Sequence, residues 1–462
     1  MIRLYDSARG EIVALQPRDA GRLSMYVCGP TVYGPPHIGH GRFTLVWDVA
    51  RRWYTFGGLD VTYVCNVTDI DDKIINRARD EGRTELDVAK EFEAQWFEAM
   101  DAIGVARPDE SPHATHYLSE MIDLIAELLE RGVAYRTSDG VYFEVARVPD
   151  YGLLAGQPLD SLRVGARVEA VEEKRSPLDF ALWKNAKPGE PRWPAPFGDG
   201  RPGWHTECVV MSLQLLGDDF DLHTGGLDLM FPHHENERAQ AVAWGHAFSR
   251  YWAHNGMVMV GGDKMAKSLG NFTTMSDLLA DTDPRAYRLL VLRSHYRSPI
   301  EVTAATIADA ERALARLDGL ARRFGLAALA GTVLERATSF SWEGAAGDLY
   351  GAVALSLDDD LDTPGAMAQI FDAVTAAHAA ADRGDTDTAR TLAEAVNALC
   401  GALGLSLRGD ADVVDDASAA LVAARDEARS RKDWAEADRL RDELVSLGWT
   451  VEDAAGGTQI RR

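Results

Sequence analysis

MYVCGPTVYGPPHIGHGR, residues Met25 to Arg42, decides how the rest of this chain is read. Met25 to Cys28 is a short apolar run that suits a strand. Gly29-Pro30 and Gly34-Pro35-Pro36 break it, so the backbone turns outward. A helix is expected from about His37, because Phe43, Val46, Trp47, Ala50 and Trp53 recur at helical spacing. Strand, Gly/Pro turn and helix is the layout of an α/β nucleotide site, where phosphates meet a helix N-terminus. His37 and His40 sit in that turn as candidate phosphate donors, and Cys28 ends the strand beside them as a candidate metal ligand. The plainer alternative is a Gly-rich turn before an ordinary helix, with a cysteine buried in the core.

At 462 residues the chain has room for about three domains. No apolar run approaches a membrane span, and MIRLYDSARGEIVAL lacks the basic-then-apolar layout of a signal peptide. Cys28, Cys65, Cys208 and Cys400 are too scattered for a disulfide framework, which fits a reducing cytoplasm. The 48 Lys and Arg against 72 Asp and Glu leave a net charge of −24. That acidity argues mildly against a nucleic-acid partner, since such affinity rests on Lys and Arg contacts to phosphate. Local patches decide binding, however, and the sum does not.

Val61 to Val67 is a continuous apolar run fit for a buried parallel strand at βαβ spacing. Thr68-Asp69-Ile70-Asp71-Asp72-Lys73 follows; an acidic helix start is favoured there over a metal site. Helical patterns cover Val88–Ile103 and Tyr117–Leu129, and residues 133–145 read as a hairpin. From Tyr151 to about Gly200 the chain is rich in Pro, Gly and charge, and reads as an insertion of loop with packed aromatics. Gly203 to Cys208 opens a second half: a helix to Leu216, a strand from Phe220 to His223, and a turn at Thr224-Gly225-Gly226. Pro232 suits a first helical position, which puts His233 and Glu237 at i and i+4 on one face. Met257 to Val260 is strand-like, and Gly261-Gly262-Asp263 leads into the basic loop Lys264-Met265-Ala266-Lys267-Ser268. Beyond Tyr287 the pattern is helical almost to the end, with one stripe at Leu314, Leu317, Leu320 and Phe324 and another at Met367, Ile370, Phe371 and Val374. Arg408 to Asp416 is an acidic linker before a small final unit. Cys28, Cys208, His233 and Glu237 together offer the donor types that zinc prefers. Spacing leaves open the alternative of a core Cys208 and a solvated His/Glu helix face.

CGPTVYGPPHIGH, NVTDIDDKI, GWHTEC, FPHHENE and KMAKS resemble the motifs of the cysteinyl-tRNA synthetase family, within the class I aminoacyl-tRNA synthetases, and the likeness covers nearly the whole chain. What it implies is an α/β chain: a Rossmann-like class I synthetase catalytic domain with an insertion, then an α-helical tRNA-binding region and a small C-terminal domain. The implied boundaries are 1–255 for the catalytic domain with an insertion at about 115–200, 256–305 for the KMSKS-type loop and stem-contact region, 306–407 for the helical bundle, and 408–462 for an anticodon-binding domain. The implied reaction activates L-cysteine with ATP and magnesium and passes the acyl group to the terminal adenosine of tRNA-Cys. Cys28, Cys208, His233 and Glu237 match the family's zinc ligands. His37, His40, Lys264 and Lys267 match its catalytic motif residues, with Pro30, Thr31 and Gly39 beside them at the ATP site. Thr31, Trp204, His223 and His254 are implied in the substrate pocket, and each equally suits a structural role. Arg429, Trp434, Asp438 and Asp453 match positions used near the anticodon; read alone, Trp434 is a core residue and the charges a wet helix face. Ala266 departs from the family's usual serine, so one hydroxyl is lost and a modest effect on loop closure is expected. A monomer without membrane contact, located in the cytoplasm, is expected.

Zinc deprotonates a bound thiol, whose free pKa is about 8.5, and binds a hydroxyl far less well. A coordinate bond to sulfur therefore rejects serine where a simple pocket separates the two poorly. Two rivals remain at this level. One is a cysteine ligase that uses the same adenylate chemistry on an amino sugar, and it needs no Lys-Asp-Trp-Ala-x-Ala-Asp unit. The other is a non-catalytic tRNA-binding relative, against which His37, His40 and Lys267 speak.

Overall fold

The computed structural model describes residues 1–156, 173–265, 273–329, 340–409, 416–447, 449–454 and 457–461. Lys267, Ala266 and the core of the expected linker therefore lie outside the described residues.

Four parallel strands form the central sheet. β1 (Arg22–Val27) runs into α1 (Ile38–Phe56), which returns to β2 (Asp60–Cys65). After the insertion come α2 (Trp204–Leu216), β3 (Phe220–Gly226), α3 (Glu235–Trp244) and β4 (Ser249–Asn255). The spatial order is β4-β3-β1-β2. The chain leaves β1 to one side for β2 and returns on its other side with β3. A crevice opens where such a sheet reverses direction, at the carboxyl ends of its strands. Cys28 and Gly29 stand at that point. Met25, Tyr26 and Val27 are wholly buried, as a strand covered on both faces requires. Gly29 is obligatory on packing grounds: a Cβ there would lie 1.7 Å from the carbonyl oxygen of Asn66.

α1 starts as its spacing predicts, with His37 as the N-cap. Its buried face carries Leu45, Trp47, Ala50 and Trp53. The acidic run after β2 is a helix start: Asp71 accepts from the Lys73 N–H (2.9 Å) and caps Asp72–Glu81.

Three expectations need correction. Phe180–Asn185 is a strand and not a loop; with Ala134–Thr137, Gly140–Phe143 and Gly200–Pro202 it makes a four-stranded antiparallel sheet. Its aromatics explain why: Phe180, Leu182 and Trp183 are buried, and Trp183 Nε1 donates to the Gly198 carbonyl (3.0 Å). Thr224, Gly225 and Gly226 do not turn the chain but extend β3, paired with Ala253, His254 and Asn255. Gly225 is small because the His234 ring packs there, 2.9 Å from where a Cβ would stand. Pro232 lies inside a five-residue wide turn, Met230–His234, ahead of α3, since Phe231 before it is extended (φ −139°, ψ 131°). His234 and Glu235 are helical, so His233 and Glu237 still share a face.

The same compact unit, Met1–Leu317 with Leu329–Ser406, also holds Val258–Val260 paired to Asp263–Lys264 and Ile300–Glu301, and the helices Pro284–Leu292, Gly344–Leu357, Thr363–Asp382 and Thr386–Ala402. A buried charge network ties α1 to the helical part. Asp48 accepts from Arg52 and Arg288, both at 2.8 Å, and Arg288 also donates to the carbonyls of Ile103, Gly104 and Leu403. The second unit comprises Asp318–Ala328 with Leu407–Arg462. Helices Asp416–Ser430 and Trp434–Ser446 pack with a terminal hairpin, Thr450–Ala454 and Gly457–Arg461. The pattern reads as helical almost to the end, and the chain finishes in that hairpin. Among the described residues no helix is long and apolar enough to cross a membrane.

Candidate active site

Four donors meet at the end of β1. Cys28 follows the strand, Cys208 lies in the second turn of α2, His233 is the fourth residue of the wide turn, and Glu237 faces inward from α3. Cys28 Sγ is 3.8 Å from Cys208 Sγ and 3.4 Å from Glu237 Oε1. Cys208 Sγ is 3.7 Å from His233 Nε2. All four are buried, and their ligating atoms lie within 4.8 Å of one another. The edges of a tetrahedral zinc site are about 3.7 Å between thiolates and about 3.5 Å between thiolate and imidazole, from bond lengths near 2.3 and 2.05 Å. The sulfur edges match. His233 Nε2 to Glu237 Oε1 is shorter, 2.7 Å, which is a hydrogen bond. Two thiols, an imidazole and a carboxylate, dry and converging, fit a soft divalent cation.

The electrostatics agree. Burial opposes charge on Glu237, yet His233 and His223 outweigh it and hold the carboxyl well below its usual range. Burial likewise opposes protonation of His233, but Glu237 and Cys208 push its pKa up to about 10. Burial, then Cys208 and Glu237, drive the Cys28 thiol upward. Cys208 is lowered despite its burial, by hydrogen bonding from Cys28 and by His233. The pocket concentrates acceptor groups and draws in compensating positive charge.

Supporting side chains surround the donors. His205 Nδ1 lies 2.8 Å from His233 Nδ1, fixing which ring nitrogen faces the cluster. Sequence reading missed His205; its place three residues before Cys208, one helical turn away, was a usable signal. His223 Nε2 holds the outer oxygen of Glu237 at 2.6 Å and stacks on Trp252. His254 bridges Ser7 Oγ (2.7 Å) and His234 (2.8 Å). His223 on β3 and His254 on β4 are buried and are not among the residues that line the cleft, which suits the structural role open to each. Trp204 does line it, 36% exposed, its ring stacked 4.0 Å from that of His233.

The cleft itself encloses about 1520 Å³, open to solvent. Pro30, Thr31, His37, Gly39 and His40 line it, together with Asp228, Asn255, Gly256 and Met257. His37 and His40 cap α1 reciprocally: the His40 N–H donates to His37 Nδ1 and the His37 N–H to His40 Nδ1, both 3.2 Å. With Nδ1 accepting, each neutral ring carries its proton on Nε2. The rings stack 3.5 Å apart. Lys264 pairs through its backbone with Met259. Met265 reaches Gly39, and the Ile38 N–H donates to the Thr273 carbonyl (3.2 Å), so both flanks of 266–272 meet the start of α1.

In the second unit Trp434 is 60% exposed, contrary to the core reading, and Asp438 is exposed one turn along the same helix. The buried tryptophan there is Trp449. Arg429 pairs with Asp453 (2.7 Å), as does Arg425 (2.8 Å).

A doubly wound sheet with a histidine-capped helix at its reversal point, followed by helices, is the arrangement of a class I aminoacyl-tRNA synthetase. The model for tRNA synthetases class I (C) catalytic domain matches residues 14–312, a DALR domain matches 352–408, and a cysteinyl-tRNA ligase anticodon binding domain matches 411–461. The cysteine–tRNA ligases of Chromobacterium violaceum and Dechloromonas aromatica are each 43% identical to it, over all of this chain and all of theirs. This chain belongs to the cysteine–tRNA ligase family and is a ligase enzyme of it. Mycobacterium tuberculosis methionyl-tRNA synthetase, solved with methionyl-adenylate, shares the fold at TM-score 0.60 and 14% identity, over 83% of this chain and 89% of that one.

Proposed function

We propose that the chain activates L-cysteine with ATP at the cleft and transfers it to tRNA-Cys, selecting its amino acid by sulfur. The observation that carries this is the buried donor set, its ligating atoms within 4.8 Å of one another, beside the histidine-capped helix. Cys28, Cys208, His233 and Glu237 would hold zinc, which supplies a soft Lewis acid that draws thiolate and passes over hydroxyl. His205 keeps His233 oriented. His223 gives Glu237 a second partner, so the carboxylate can loosen without being left bare. Trp204 lies against the substrate side chain and excludes water. His37 and His40, with the α1 N-terminus, donate to the phosphates and stabilise charge gathering on the pyrophosphate leaving group. Lys267, with Lys264 behind it, takes a phosphate-neutralising role on the strength of its motif.

The C-terminal unit favours tRNA over an amino-sugar acceptor, because exposed Trp434 offers a stacking face with polar groups around it. Trp434→Ala is expected to raise the KM for tRNA about tenfold, the worth of one stacked base. An unchanged tRNA KM would refute that role. We assign functional boundaries at about 255, 305 and 407, and propose a cytoplasmic monomer with magnesium accompanying ATP.

The decisive experiment is metal analysis of the purified chain, then pyrophosphate exchange and tRNA-Cys charging with cysteine and with serine. One zinc per chain and strong preference for cysteine are expected. A metal-free chain that charges cysteine normally would overturn the account of selection.

A further inference from the structure

The first turn of helix Asp72–Glu81 is built with unusual care for a segment the reaction has not used. Asp72 is pulled to the insertion sheet by Lys184 (2.5 Å) and by the buried Arg201. Asp71 already occupies the Lys73 backbone N–H. Arg77, one turn on, lies over Phe92 and donates to the Tyr33 carbonyl (3.0 Å). With Asp72 fixed on the sheet side, the next side chain, Lys73, faces the cleft. Its ammonium stands 5.0 Å from the centre of the Tyr33 ring, and both residues line the cleft together with His37 and His40. Among the described residues no carboxylate pairs with it. Tyr33 belongs to the Gly/Pro turn itself.

We propose that Lys73 is a phosphate-binding residue of this cleft, held in place by the Tyr33 ring. The inference rests on the reading of the cleft as an ATP and tRNA site. An aromatic face fixes an ammonium without neutralising it, which a carboxylate partner would do. The charge is therefore kept for an anion that arrives with substrate. Two substrates bring such anions: the triphosphate of ATP and the phosphodiester strand at the 3′ end of tRNA. The residue is exposed, and it shares the cleft's lining with Asp228 and Asn255.

The test uses the full chain with Lys73→Ala, Lys73→Arg and Tyr33→Phe, all on exposed or half-buried positions. Two KM values are measured: ATP in cysteine-dependent pyrophosphate exchange, and tRNA in charging. Loss of one charge-assisted contact predicts a rise of roughly tenfold to a hundredfold in one of them for Lys73→Ala. Whichever rises names the source of the phosphate. For tRNA, the slope of log KM against log salt also becomes shallower by about 0.7, one released counterion on a single strand. Lys73→Arg and Tyr33→Phe, which keep the cation and the ring face, stay within about threefold. If both KM values and the salt slope of Lys73→Ala equal those of the parent, the proposal is overturned. If the parent chain itself shows no exchange, the underlying reading has failed instead.

Discussion

Cys208→Ser is expected to fail to bind the proposed zinc, and cysteine-dependent pyrophosphate exchange to fall by at least about a hundredfold, the lower bound set by what losing a mere supporting contact costs a metal site. The side chain is buried, and a hydroxyl fills nearly the same volume, so the α2 backbone has no reason to move. What disappears is a soft sulfur donor, whose pKa burial raises but Cys28 and His233 together bring down. A neutral hydroxyl leaves Cys28, His233 and Glu237, and His233 then stays hydrogen-bonded to Glu237 at 2.7 Å without competition. Elemental analysis and exchange assays on a variant with unchanged circular dichroism check this. Full metal content with full exchange would show that the ion, if any, is held elsewhere.

The second large effect concerns stability. Asp48→Ala leaves Arg52 and Arg288 as unpaired buried charges, since all three side chains are about 1% exposed. Removing one partner from such a set costs about 3–5 kcal/mol, because the remaining ions keep their desolvation penalty and lose their attraction. The urea midpoint should fall accordingly, and a loss under 1 kcal/mol would contradict the account. Burial raises the Asp48 carboxyl, but Arg288 and Arg52 outweigh it and leave the pKa lowered. A lowered folded-state pKa gives stability that is complete above the unfolded carboxyl value, near 3.9, and lost as pH falls through the folded one. Acid unfolding of Asp48→Ala should accordingly lack that component below about pH 4.

Much of the catalytic sheet was legible because parallel strands covered on both faces are continuously apolar, as in Val61 to Val67. The helix start at Asp71-Asp72 was legible from capping chemistry. Phe180–Asn185 was not, because Pro and Gly around it look like loop, and its pairing with Gly140–Phe143 is a long-range fact that local pattern does not carry. Glycines at 225 and 226 read as a turn, although close neighbours are what demand them: a Cβ would lie 2.9 Å from the His234 ring at 225 and 2.6 Å from Asp228 Oδ1 at 226. The donor set was legible as residue types; its convergence was not, since Cys28 and Cys208 stand 180 residues apart. Resemblance implied His223 and His254 in the substrate pocket, with a structural role equally open; in the structure His223 bonds to Glu237 and His254 to His234. Trp434 reversed the usual burial of tryptophan because Trp449 fills the small core in its place.

The long reach of the donor set bears on the order of synthesis. Cys28 leaves the ribosome early, but Glu237 emerges only after half the polypeptide has been made. A nascent chain stopped short of that residue therefore carries at most Cys28, Cys208 and His233 of the proposed donor set. On the proposed zinc assignment the cage is complete only once Glu237 has emerged, so the metal would be taken up late in the synthesis of each molecule.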